Sequence, residues 1–168
     1  MPFERMPDHA RLWIFAADRP LTAREQLNLL AGVDAFLDPW KAHGEPLTVA
    51  RDLRHDRFLL VGVDESNAGA SGCSVDALLR ALTEMEHALD VSLLDHGPVL
   101  FRRGDRIERL PRQEFTELAQ RGEVTPATIV FNNTLTRVGD LLAGRWETPA
   151  RESWHARAFG LVAAPAAH

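Results

Sequence analysis

The chain has 168 residues, 45% hydrophobic and 26% charged, which suits one globular domain with a sizeable core. A formal net charge of −5 and an isoelectric point near 5.8 give no electrostatic footprint for general nucleic-acid binding. The single cysteine rules out an intramolecular disulfide, and no stretch approaches the roughly 20 apolar residues of a membrane span.

The N-terminus, "MPFERMPDHARLW", lacks the long apolar run of a signal peptide. With one unpaired thiol, a reducing cytoplasm is the expected location. "RLWIFAAD", residues 11–18, is rich in strand formers and stops at a charged turn. In the next stretch, Thr22 and Glu25 have capping-box spacing, so a helix is predicted from Thr22. Leu27, Leu30, Ala31, Phe36 and Leu37 suggest its buried stripe, and Pro39 is expected to end it. "PLTVARDL" and "DRFLLVGVDE" read as two strands joined by a short turn at "RHD".

A glycine-rich loop follows, and Ser74 is the expected N-cap of a second helix. Val75, Leu78, Leu82, Met85 and Leu89 repeat along it at spacings of three and four. "GPVLFRRGDRIERL" reads as a hairpin turning at Gly104-Asp105. "PRQEFTELAQRG" is a short helix, with Pro111 at its start and Gly122 at its end. "ATIVFNN" is a short strand and "TRVGDLLAGRW" a third, short helix.

The first hundred residues therefore spell strand, helix, strand, strand, helix, strand. This is the order of an α+β, ferredoxin-like βαββαβ core with an antiparallel sheet. Both helices are expected on one sheet face. "RLWIFAA" and "FLLVGV" are apolar at consecutive positions, so the other face needs a cover. The expectation is a single domain over 1–168. Residues 10–103 form the core, 104–160 an αβα extension covering the sheet, and 161–168 a tail.

In this topology the loop after the first helix and the loop before the second lie at one end of the sheet. The first carries His43 and the second Cys73. They are 30 residues apart in sequence, yet the topology brings them within about 10 Å. A helix N-terminus and a nearby imidazole both favour a thiolate. Backbone N–H groups at Ser74 and Val75 are candidates to hold an oxyanion, and Gly72 permits close approach of a ligand. Asp64 and Glu65 are candidates to orient His43 or to act as acid and base. Asp76 points away from a phosphate site, since it would repel an anion. The plainer alternative is a cysteine packed as a small hydrophobe in an ordinary helix entry.

Outside this loop pair, Asn132 and His155 are candidate ligand contacts. The alternatives are a turn at Asn132-Asn133 and, for "SWHAR", a sealed core edge. The arginines 102, 103 and 106 read as a solvated hairpin. The seven histidines show no paired ligand spacing, so no metal or other cofactor is implied. There is no Walker phosphate loop and no C-x-x-C. Nor does Cys73 open a C-x5-R loop.

"WKAHG", "GASGCSVD", "TIVFNN" and the "W…P…SWHAR" ending together resemble a family of small bacterial proteins seen among Bacteroidetes and relatives. The resemblance spans roughly residues 10 to 157. Members often carry the label "ABC transporter ATPase". The resemblance implies a cytoplasmic bacterial protein, and it brings no established activity and no assigned catalytic residues. The label conflicts with this chain, which has no phosphate loop and is too short for such an ATPase domain, so we give it no weight.

Two functional readings follow. The first is a Cys/His-dependent hydrolase or acyl or group transferase acting on a small molecule. The second is a non-catalytic module that binds a small ligand or a protein partner, with a homodimer among the arrangements such sheets adopt. RNA binding is disfavoured, because the charge is wrong and the aromatic strand motif is absent.

Overall fold

The computed structural model describes residues 2–42, 48–64 and 72–162, with the backbone alone at 39–42 and 72–74. Among these the chain is mixed α+β, with two antiparallel sheets and five α-helices. In chain order they are β1 (Arg11–Ala16), α1 (Ala23–Ala42), β2 (Thr48–Arg54), β3 (Phe58–Asp64), α2 (Gly72–Leu89), β4 (Val99–Arg103) and β5 (Arg106–Leu110). Then come α3 (Arg112–Gln120), β6 (Ile129–Phe131), α4 (Val138–Leu142), β7 (Glu147–Pro149) and α5 (His155–Ala158). The chain divides into two compact units. One is residues 1–95 with 134–142, and the other is 96–133 with 143–168.

In the first unit the strands pair in the order β1-β3-β2. The β2–β3 turn holds His55 and Asp56 at φ 54° and 60°, the combination a type I′ turn requires. Asp56 is tied down on both sides. Its carbonyl accepts from Leu21 N–H at 2.8 Å and its carboxylate from Gln26 Nε2 at 3.2 Å. Leu59, Val61 and Val63, alternate residues of β3, pack with Leu29, Val33 and Leu37 of α1 and Leu78 and Leu82 of α2. That places both helices on one sheet face.

The α1 start follows the sequence. Thr22 N–H donates to Glu25 Oε1 at 2.9 Å, and Glu25 N–H donates to Thr22 Oγ1 at 3.2 Å. Two features differ from expectation. The buried row is Leu29, Val33 and Leu37, four residues apart, whereas Leu27 is 70% exposed and Ala31 is also exposed. The helix also runs through Pro39 to Ala42. Proline removes one N–H and can bend a helix without stopping it.

Arg19 clamps this corner. Its guanidinium donates to Glu25 Oε1 and Oε2 at 2.9 and 2.7 Å. It also donates to Leu89 O at 3.1 Å, one of the carbonyls that the end of α2 leaves without a helical donor. Hydrogen bonding from Arg19, and next from Thr22 N–H, holds the Glu25 carboxyl down at about 2, against an ordinary 4.5. The clamp's stabilisation is therefore full above pH 4.5 and is lost as pH falls towards 2. The stability gap between the protein and Glu25→Gln is expected to close over that window in denaturant titrations at stepped pH.

The expected fourth strand pairs elsewhere. β4 is hydrogen-bonded to β5 and β6, giving a second sheet in the order β5-β4-β6-β7. Both edges of β4 are thus occupied, and the described pairings include no β1–β4 ladder. At the start of β1, Leu12 N–H instead donates to Thr136 O at 2.9 Å, and Arg11 bridges Arg137. The other face of β3 is covered at Gly62 by Phe3 and Met6 from an N-terminal 3-10 turn, both buried. Residues 138 and 139 hold the chain after that turn, through Val138 N–H to Ala10 O and Gly139 N–H to Asp8 O, both 2.9 Å. In the first unit, part of the expected cover thus comes from the N-terminus.

In the second unit the β4–β5 hairpin turns at Gly104 (φ 62°), and α3 lies between Pro111 and Gly122 (φ 74°), all as expected. Phe101, Phe115, Leu118, Val124 and Val130 form its core. Arg102 pairs with Glu147, and Arg103 lies 3.4 Å from Glu108 and 3.8 Å from Glu123. Arg102 and Arg103 of this hairpin thus both face carboxylates. Among the described residues no helix is long and apolar enough to cross a membrane.

Candidate functional site

The β2–β3 register pairs Thr48 with Asp64. The segment leading into β2 therefore ends beside the point where the segment leaving β3 begins. His43 and Glu65 lie on those segments, outside the described residues. On the far side of the second segment, α2 begins at Gly72. This corrects the expected cap at Ser74, because the helix starts two residues earlier and takes Cys73 and Ser74 into its first turn. N–H groups of a first helical turn have no intrahelical acceptor. The backbone amides of Gly72, Cys73 and Ser74 fall in that set, whereas Val75 N–H, the fourth in the helix, is the first to donate within it. Asp76 is exposed and falls beyond the first turn, which has no acidic residue. Its objection to a bound anion is weaker than the sequence suggested.

Asp64 closes β3, and its side chain is mostly buried. His9 Nε2 lies 3.5 Å from Asp64 Oδ1, and the His9 side chain is largely exposed. The sequence reading missed this imidazole. A signal for it existed. β1 opens at Arg11, and Arg11 pairs with Val63, so antiparallel continuation carries His9 towards the end of β3. Finding it requires the β1–β3 register, which no local motif encodes.

Asn132 and His155 belong to the second unit. Asn132 N–H donates to Trp146 O at 2.7 Å, and the Trp146 indole donates to Asn133 Oδ1 at 2.9 Å. The two asparagines anchor Trp146 in the turn after β6. Asn133→Ala leaves a buried indole N–H without its acceptor, at an expected cost of about 2 kcal/mol. The Trp146 indole resonance should shift, and Asn133→Asp, which keeps an acceptor oxygen, should retain most of the stability.

His155 is 1% exposed. It stacks on Trp154 at 3.9 Å, and its Nδ1 is 2.8 Å from Ser153 Oγ. Arg112 lies 5.0 Å over the Trp154 ring. Burial, and then the Arg112 charge, push the imidazole down to about 4, so it is neutral at pH 7. These residues are part of the packing of the second unit. Trp154 Nε1 is buried with no hydrogen-bond partner among the described residues.

Among the described residues no group of three or more His, Cys, Asp or Glu side chains is arranged to hold a metal ion. Comparisons with protein-family models, curated proteins and solved structures find no match to this chain.

Proposed function

We propose that the chain carries a cysteine-centred small-molecule site at the end of the first sheet, with Cys73 as nucleophile in acyl transfer or hydrolysis. The observation that supports this most is the position of Cys73 in the first turn of an 18-residue helix, the helix that follows the segment leaving β3 beside the start of β2. The helix dipole favours a thiolate there, and the amides of Gly72 and Ser74 are donors for a developing oxyanion. We read the first unit's βαββα order as the ferredoxin-like arrangement, with its fourth strand drawn into the second sheet. The resemblance to the small bacterial family supplies no reaction, so the chemistry rests on this chain's own residues. A lone thiol fits a reducing compartment, and we assign the protein to the cytoplasm.

In the proposed step the Cys73 sulfur adds to the carbonyl carbon of an ester, thioester or amide. A C–S bond forms, the bond to the leaving group breaks, and a histidine supplies the leaving group's proton. Water or an acceptor then takes the acyl group and frees the thiol. His43 is one candidate for that histidine. His9, set against Asp64, is the other, and Glu65, next to Asp64 in the sequence, is the second candidate carboxylate. A panel of small acyl esters and thioesters tests the proposal. The expected result is an acyl adduct mapped to Cys73, with turnover at least about 10³-fold lower in Cys73→Ser. Equal turnover in Cys73→Ser would overturn it and leave the non-catalytic ligand- or partner-binding module.

A further inference from the structure

No further inference is drawn: the strongest candidate, the Ser153–His155 side-chain pair under Trp154 in the second unit, carries nothing, because it spans two residues of one local turn and burial leaves that imidazole too weak a base to activate the hydroxyl.

Discussion

Gly62→Val is expected to destabilise the protein by about 2 kcal/mol, although valine is the better strand former. A Cβ at position 62 would lie 2.7 Å from Phe3 Cε1 and 2.9 Å from Met6 Sδ. Real Cβ atoms do not approach that closely, so the Phe3 ring and the Met6 side chain must shift from where they pack. Both side chains are buried there, and a displaced Phe3 loses its packing against β3. Phe3→Ala alone should cost about 3 kcal/mol through the space it leaves. The double variant should recover at least about 1 kcal/mol of the summed losses, because the truncated side chain makes room for valine. Denaturant titration followed by tryptophan fluorescence measures all three. If Gly62→Val is as stable as the parent, the N-terminal turn does not rest on Gly62 in solution.

Stability should also fall by about 3 kcal/mol on account of His155 alone as the solution is acidified from pH 6.5 to pH 4. The unfolded imidazole takes its proton near 6.5, whereas the folded one does so only near 4. Between those values the unfolded chain binds the extra proton, so protons pull the equilibrium towards unfolding. Above 6.5 both states are neutral and the contribution is flat. The chain has seven histidines, so the measurement is a difference between the protein and His155→Phe, each titrated with denaturant at stepped pH. The variant should lose this part of the slope. The Glu25 clamp acts mainly at lower pH, between 4.5 and 2, and leaves most of the His155 window undisturbed. Parallel slopes for the two proteins would place the imidazole in water.

The features legible in the sequence were those fixed by near neighbours. The capping box of α1 needs only Thr22 and Glu25, and both of its hydrogen bonds form. The turn at Gly104 needs one residue able to hold φ near 62°. The buried face of α1 was harder to read, because two apolar rows compete. Leu29, Val33 and Leu37 face β3, while Leu27 faces water. Strand partnership was harder still. β4 has the composition of an inner strand whichever sheet it joins; its hairpin with β5 is local, but only the distant β6, paired along its other edge, decides that it joins the second. β7 and the 3-10 turns at Phe3–Arg5 and Ala150–Glu152 have three residues each, too few for a hydrophobic period to register.

At the candidate site the same division holds. What the sequence shows of Asp64 is that it closes an apolar strand, and of Cys73 that it is the one thiol at a glycine-rich helix entry; both places hold in the fold, and their roles are the proposal. His9 escaped because only the register between β1 and β3 carries it towards Asp64. Asn132 and His155 were chosen by residue type. Trp146 shows the local reason for an Asn-Asn turn, and a four-ring cluster of Phe115, Trp154, His155 and Phe159 shows the reason for a buried histidine.

The central claim is that Cys73 is a thiolate nucleophile, and the pH dependence of its alkylation tests this most directly. With one cysteine in the chain, the rate belongs to one sulfur. The measurement is made on the protein, His9→Ala and His43→Ala. We expect a midpoint well below the ordinary thiol value of about 8.5, rising in the variant that removes the partner imidazole. A midpoint at the free-thiol value, unmoved by either substitution, would contradict the account and make Cys73 a packing residue.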